Sequence, residues 1–185
     1  MVPLATLWLP ILLSAVFVFV ASSIIHMLLG YHSGDYQKLP DEDKFLSFLR
    51  PAAIKPGLYV FPHCTHKDMN SPALIEKRKQ GPVGFMTMLP SGPPAMPKFL
   101  IEWFVYCLVI ELFVAYLAVH TVPFGAHYRF VFRVTGSAAF LAYGLGHLSN
   151  GIWKGEPWSV TFKEVFDGLV YGLLTAGTFG WLWPR

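Results

Sequence analysis

Glu111 is the residue most informative about chemistry, because it lies near the middle of a long apolar stretch. A charge there is expensive in a membrane, and intramembrane acids often mark proton or ion pathways. Arg133 lies at a similar depth in the next apolar stretch, but helical side chains lean toward their own N-terminus, which points this pair apart. Thr135, Tyr106 or a hydroxyl on the first or fourth stretch are alternative partners. Glu111 is therefore either a proton or ion site or a neutral or paired structural carboxyl.

Two histidines, His26 and His147, fall near corresponding ends of their apolar stretches, with Glu102 and Asp167 at similar levels. Two facing histidines can hold a haem iron, and histidines with carboxylates can hold a metal ion. No Glu-x-x-His ligand motif accompanies them. The sequence therefore predicts no stoichiometric haem or metal, and these four residues are the ligands if one binds.

The group His63-Cys64-Thr65-His66, followed by Asp68, also contains atoms that bind metals. Its spacing matches no standard zinc pattern, and a second ligand pair is missing. We therefore expect a turn with exposed polar residues. The signatures of serine hydrolases, P-loop proteins and dinucleotide-binding domains are absent from the sequence, so no catalytic residue is assigned.

Four apolar stretches must position these residues, and each can cross about 30 Å of hydrocarbon with about 20 helical residues. Only 14% of the 185 residues are charged, against about 25% in soluble domains. Backbone groups in lipid require a helix, so the predicted fold is an all-α membrane protein with four transmembrane helices. The stretches are Leu4–Leu29, Pro97–Val122, His127–Asn150 and Phe162–Trp183, with a large, partly structured polar loop, Gly30–Met96, between the first two.

Residues with known helix-end preferences set the predicted boundaries. Pro97 suits the first turn of a helix, where its missing N–H is harmless, and Pro123 ends that helix one residue earlier. The pair Asn150-Gly151 suits a C-terminal cap. Thr161 and Glu164 fit a capping box at the start of the fourth helix.

The loop contains predicted secondary structure of its own. A short amphipathic helix that ends at Arg50 is expected to lie on the membrane surface. A second short helix starts at Ser71-Pro72. Two short apolar runs bounded by Gly and Pro, Gly57–Phe61 and Val83–Leu89, are expected to pair as strands.

The distribution of positive charge predicts the orientation in the membrane. Eleven Lys and Arg residues lie on the side of the large loop, counting the start of the second helix and the third-to-fourth connection, against three on the other side. The positive-inside rule therefore places the loop in the cytoplasm and both termini outside. The formal net charge of +3 is too small to indicate nucleic acid as a partner.

Small residues recur every four positions along the last two predicted helices. This spacing lets helix backbones approach closely in lipid. It predicts static packing between these helices or against a partner, with a mobile gate as the functional alternative. The residues are Ala138, Ala142 and Gly146 in the third helix, and Gly168, Gly172, Ala176 and Gly180 in the fourth.

Three stretches carry a resemblance: ASSIIHM at 21–27, GPVGFMTMLPSGPP at 81–94 and DGLVYGLLTAGTFGWLWP at 167–184. Together they resemble a family of small, uncharacterised (hypothetical) bacterial inner-membrane proteins with no assigned activity. The resemblance covers most of the chain. It implies a multi-pass location in the bacterial inner membrane and carries no substrate or site residue.

Two functions remain open at this point. The first is a non-catalytic accessory or structural subunit of a membrane complex, with the lipid bilayer and a membrane-protein partner or a second copy of the chain as its partners. It rests on the small-residue rows, the structured loop and the missing catalytic motif. The second is a small redox or proton/ion-transport protein that uses Glu111 or a His26/His147 site.

Overall fold

A computed structural model describes residues 2–185, which divide into two compact units, 2–35 with 95–185 and 36–94. The chain is mostly helical, and a pair of short strands lies in the second unit. The helices are α1 (Trp8–Met27), α2 (Glu42–Leu49), α3 (Pro72–Gln80), α4 (Met96–Thr121), α5 (Tyr128–Tyr143), α6 (Leu148–Lys154) and α7 (Trp158–Leu182), and the strands are β1 (Gly57–Phe61) and β2 (Gly84–Met88).

Three helical segments of the first unit are long and apolar enough to cross a membrane. They are Leu4–Met27, in which a 3-10 turn leads into α1, Met96–Thr121, which is α4, and Trp158–Leu182, which is α7. The first, second and fourth predicted stretches are therefore helices of spanning length and composition, as a membrane protein requires.

The third predicted stretch, His127–Asn150, is not one continuous helix. A 3-10 turn at Leu145–His147 separates α5 from α6, which runs on to Lys154. Gly144 and Gly146 stand at this break, and glycine is a poor helix former because it loses the most backbone freedom in a helix. The sixteen residues of α5 are fewer than a membrane crossing takes.

The long helices of the first unit alternate in direction. The 3-10 turn Leu4–Leu7 packs against α4, and the Trp183 indole N–H donates to the Pro123 carbonyl at 3.0 Å. The Gly125 amide also donates to the Pro184 carbonyl at 3.0 Å. The chain therefore begins, turns between α4 and α5, and ends at one end of the unit, here called the terminal end. The opposite end, where α1 stops and α4 and α7 begin, is called the loop end.

In the first unit, the observed helix boundaries agree with those predicted from the prolines but not with those predicted from the capping residues. Pro97 lies in the first turn of α4, and Val122 becomes extended before Pro123, as predicted. The predicted cap at Asn150-Gly151 is wrong, because α6 continues to Lys154 and ends where Gly155 adopts a φ of +68°. The predicted capping box is also wrong. Its Thr161 lies inside α7, and its hydroxyl donates to the carbonyl of Pro157, the residue after which the helix begins.

The second unit confirms the secondary structure predicted for the loop. β1 and β2 form an antiparallel pair in which Gly57 faces Met88 and Phe61 faces Gly84. α2 ends just before Arg50. α3 begins after Ser71, whose hydroxyl accepts the Leu74 amide hydrogen at 3.3 Å.

The small-residue row of α7 packs against α5, at the seam between these two helices. A Cβ added at Gly168 would lie 2.3 Å from Gly144 Cα, and one added at Gly172 would lie 3.2 Å from the Gly136 carbonyl oxygen. The positions that meet α7 are thus Gly136 and Phe140 of α5 and Gly144 just after it. The row Ala138, Ala142 and Gly146 does not form this contact, and its packing against a partner stays a prediction. Positions two apart differ by about 200° around a helix, so the predicted row lies on the other side.

Candidate functional site

The segment that follows α1 folds back onto the start of α7 at the loop end. Lys163 Nζ donates to the Tyr31 carbonyl oxygen at 2.7 Å and to Asp35 Oδ1 at 2.5 Å. The Tyr31 hydroxyl donates to Asp167 Oδ1, one helical turn beyond Lys163. These contacts hold His32, which lies between Tyr31 and Asp35 in the chain, against Asp167.

Three side chains, His26, His32 and Asp167, bring metal-binding atoms within 4.8 Å of one another and are here called the loop-end cluster. His32 Nε2 lies 2.8 Å from Asp167 Oδ2, and His26 Nε2 lies 3.9 Å from the same oxygen. Asp167 is buried, whereas the His26 side chain is 43% exposed. Over residues 2–185, this is the one such group of three or more His, Cys, Asp or Glu side chains. Two imidazoles and one carboxylate are a ligand set used by zinc and by non-haem iron.

The second nitrogen of each imidazole already has a hydrogen-bond partner. His26 Nδ1 lies 3.1 Å from the carbonyl oxygen of Ser22, one turn back in α1. His32 Nδ1 lies 2.6 Å from Asp35 Oδ2. The carbonyl at His26 Nδ1 favours the tautomer that carries its hydrogen there and leaves the Nε2 lone pair free. His32 lies between two carboxylates, so its Nε2 must release a proton before it can bind a metal ion. Both Nε2 atoms are the ones that face Asp167.

Opposite charges around His32 and Asp35 stabilise both groups in their charged forms. Burial alone would lower the pKa of His32, but hydrogen bonds to Asp35 and Asp167 outweigh it, and the pKa is raised. Hydrogen bonds from Lys163 and His32 lower the pKa of Asp35. Burial and the bond to Asp167 raise the pKa of the Tyr31 hydroxyl, which stays a hydrogen-bond donor. A positive charge is thus favoured at the point between the two aspartates.

A cavity of about 680 Å³ lies at the loop end between α1, α4, α7 and the end of α5. His26 belongs both to the cavity wall and to the loop-end cluster. Glu102 and His147 line the cavity but are not members of the cluster. Of the four ligands named from the sequence, the structure therefore brings together His26 and Asp167, and it places the other two on the cavity wall.

Glu111 is fully buried in the first unit. Its Oε1 accepts hydrogen bonds from Thr175 at 2.7 Å and from Tyr143 at 3.2 Å, and its Oε2 has no partner among the described residues. The predicted partner Arg133 is wrong, because its side chain is exposed and makes no ion pair with Glu111. The directional argument from antiparallel helices explains this. A hydroxyl on the fourth predicted helix is the partner instead.

The polar group at His63–Asp68 forms a turn before α3. The Thr65 hydroxyl donates to Asp68 Oδ2 at 2.7 Å, and an Arg78 guanidinium nitrogen lies 3.6 Å from Cys64 Sγ. Across residues 2–185, these side chains form no metal-type group. This agrees with the polar turn expected from the sequence.

Sequence reasoning missed Tyr31, His32 and Asp35. They lie just past the first apolar stretch, where polar residues at a membrane boundary are ordinary. The spacing of His32 and Asp35 permits a local pair, which the structure contains. The contacts of Tyr31 and His32 with Asp167, more than 130 positions away along the chain, have no local signal.

No protein-family model matches this sequence, and neither a curated protein nor a solved structure matches the chain. The resemblance to bacterial inner-membrane proteins therefore stays a prediction.

Proposed function

We propose that this chain is a small multi-pass membrane metalloprotein with an open, reactive divalent-metal site at the loop-end cluster. The observation that carries the proposal is the convergence of His26 Nε2, His32 Nε2 and Asp167 Oδ2, with both Nδ1 atoms already engaged. The proposal replaces the sequence-based expectation that no metal binds. The metal site corresponds to the redox alternative named from the sequence, but His26 shares it with His32 and Asp167 and not with His147.

The number of protein ligands indicates the kind of site. Structural zinc sites are closed by four protein ligands, whereas catalytic sites have three and leave a position for water or substrate. Two histidines and one carboxylate with open positions are also the ligand set of non-haem iron oxygenases. The loop-end cluster supplies three ligands, and its exposed member, His26, borders the cavity. An ion there would polarise a molecule held in that cavity.

Residues around the cluster supply the orienting contacts that metal sites require. Asp35 holds His32 at Nδ1, and Lys163 holds Asp35. Such outer contacts fix the ring orientation and make the imidazole a better ligand. His26 and His32 stack in parallel with ring centroids 4.4 Å apart, so one ring must turn for both lone pairs to reach one ion. His26 is the more exposed ring, and we expect it to make that rotation.

Zinc titration of the purified, chelator-treated protein tests the site. We expect one Zn²⁺ to bind per chain. His32→Gln and Asp167→Asn should each weaken binding about tenfold or more, because each removes a ligand. Glu102→Gln and His147→Gln are matched changes on the cavity wall and should leave the affinity unchanged.

The opposite pattern in the same titration would overturn the metal site. Equal Zn²⁺ affinity in the wild type and in folded His32→Gln protein would assign the cluster a structural role, in which it ties the segment after α1 to α7. A loss of affinity in His147→Gln with none in His32→Gln would restore the ligand pair named from the sequence.

Four membrane passes form part of the proposal. α1, α4 and α7 have spanning length, and α4 and α7 both end at the terminal end. The chain between them must therefore return to the loop end, and residues 128–154 make that return through α5, the 3-10 turn and α6. With the charge asymmetry, this arrangement supports a cytoplasmic loop end. The bacterial inner membrane is proposed from the sequence resemblance alone.

Cysteine labelling tests the orientation. In a Cys64→Ser background, Arg185→Cys should react with a membrane-impermeant maleimide added to intact spheroplasts. Ser33→Cys, an exposed position at the loop end, should react only after lysis. Labelling of both positions from the same side would rule out a membrane-spanning bundle, and a reversed pattern would invert the orientation while keeping the number of passes.

An accessory subunit of a membrane complex is the second candidate function. It is favoured by the exposure of Ala142 and Gly146, which leaves the small-residue row of the third predicted helix on the side away from α7. Small residues on an outward face suit close packing with another transmembrane helix. Co-purification from native membranes, with Ala142→Leu expected to release the partner, would distinguish this function from a free-standing metalloprotein.

A further inference from the structure

The loop-end cavity has the size and lining of a small-molecule site. Its volume of about 680 Å³ falls within the range of about 300–1,000 Å³ that such sites occupy. Aromatic and aliphatic side chains make up most of the wall, which suits an apolar body. They include Phe99, Leu100, Trp103, Tyr106, Tyr143 and Tyr171.

The charges around the cavity restrict the head group of a bound molecule. The ionisable lining residues are His26, Glu102, His147 and Glu164, and no Lys or Arg is among the described lining residues. Lys98 lies 3.7 Å from Glu102 but does not line the cavity. A phosphate or carboxylate head group would face two carboxylates without a dedicated cation, and these like charges repel one another. An uncharged head group avoids that repulsion.

A polar atom in the wall lacks a partner. Tyr171 lines the cavity, only 4% of its surface is exposed, and its hydroxyl makes no hydrogen bond among the described residues. A buried hydroxyl without a partner costs free energy, and tyrosine hydroxyls usually find one when buried. A carbonyl or ether oxygen on a bound molecule would accept this hydrogen.

We propose that the cavity binds a neutral amphipathic molecule whose oxygen accepts from Tyr171 and whose apolar body lies between the aromatic side chains. The cavity alone supports this binding, whether or not a metal ion binds at the loop-end cluster. Because His26 belongs to both sites, the polar end of such a molecule would lie next to the loop-end cluster. A metal ion bound at the loop-end cluster would therefore act on this molecule.

Two probes of similar chain length separate a neutral head group from an anionic one. Delipidated protein in neutral detergent with excess chelator is titrated with decylubiquinone, which is uncharged and carries carbonyl oxygens, and with dodecanoate. We expect saturable one-to-one binding of decylubiquinone, and dodecanoate binding that is at least tenfold weaker. Binding is followed by displacement of a radiolabelled neutral probe and by the rise in thermal stability on ligand addition.

Cavity variants localise the binding. Leu100→Trp should fill part of the cavity and abolish saturable binding. Tyr171→Phe keeps the ring and should weaken decylubiquinone binding up to about tenfold, the usual value of one hydrogen bond. Tyr116→Phe, an exposed tyrosine of α4 outside the cavity, is the matched control and should have no effect.

The outcomes for this inference are separate from those for the metal site. Dodecanoate bound as tightly as decylubiquinone would overturn the neutral head group. Binding unchanged in both Leu100→Trp and Tyr171→Phe would place the probe in the detergent or on the outer surface. Co-purified phospholipid that neither probe displaces would overturn the proposal and identify the cavity as a binding site for bilayer lipid. Decylubiquinone is titrated with excess chelator present, so a failed zinc titration leaves this test intact.

Discussion

Gly168→Ala should destabilise the protein by about 3 kcal/mol or more, and Gly168→Leu should prevent folding of the first unit. A Cβ at this position would lie 2.3 Å from Gly144 Cα and 2.5 Å from Gly144 N. Both atoms belong to the backbone, so no side-chain rotation relieves the overlap, and α5 and α7 must separate. Separation loses the close van der Waals contact that holds helices together in lipid.

Other glycines of the same region provide graded controls for thermal unfolding in detergent. Gly172→Ala meets its nearest atoms at 3.2 Å and should lose less stability than Gly168→Ala. Gly146→Ala, with no atom within 4 Å of the added Cβ, should unfold like the wild type. The same melting temperature for the variants at Gly168 and Gly146 would show that α5 and α7 do not pack in this register.

Glu111→Ala should lower the free energy of unfolding by about 2–5 kcal/mol. The Tyr143 and Thr175 hydroxyls donate to Glu111 Oε1, so Thr175 loses this acceptor and Tyr143 keeps only the Cys107 carbonyl oxygen, at 3.4 Å. An unsatisfied buried hydroxyl costs about 1–3 kcal/mol, and the missing side chain leaves a void. Glu111→Gln keeps an acceptor oxygen and the side-chain volume, so its stability should stay within about 1 kcal/mol of the wild type.

Glu102→Ala is the matched control, because Glu102 lies on the same helix, is exposed and pairs only with Lys98. An exposed pair of this kind contributes about 0–1 kcal/mol. Equal unfolding of the Glu111→Ala and Glu102→Ala proteins would contradict the buried hydrogen bonds at Glu111.

Reconstituted vesicles distinguish the two interpretations of Glu111, a proton site and a structural carboxyl. Loss of a pH-gradient response in stable Glu111→Gln protein would identify a proton site, and an unchanged response would identify a structural carboxyl.

The three helices of spanning length and their prolines could be predicted because their causes are local. A helix must satisfy its own backbone in lipid, and a run of about 20 apolar residues has that one solution. Pro97 and Pro123 act through their own rings on the adjacent turn, so they mark helix ends wherever the helix packs. The strands β1 and β2 were predictable for a similar reason, since short apolar runs bounded by Gly and Pro favour pairing.

Predictions that needed a direction of packing, such as Arg133 as the partner of Glu111, were among those that went wrong. The spacing of small residues identifies a smooth face on the third predicted helix, but not which neighbour that face meets. The face of α5 that meets α7 carries Gly136 and Gly144, about 200° around the helix from Ala138 and Ala142. Gly144 also lies at the end of α5. Whether a glycine interrupts a helix depends on whether the surrounding tertiary contacts stabilise a continuous helix or a broken one.

Three properties follow from the sequence alone: the chain has long apolar helices, Glu111 lies deep within one of them, and His26 and Asp167 occur near helix ends. Each of these properties depends on residues that are neighbours along the chain. Only the tertiary structure decided the partners, which are Thr175 and Tyr143 for Glu111, and His32 for Asp167. These contacts join residues from 32 to 135 positions apart. No local preference encodes them, because they depend on helix direction, on the rotation of each helix about its axis, and on a backbone approach that glycine alone permits between α5 and α7.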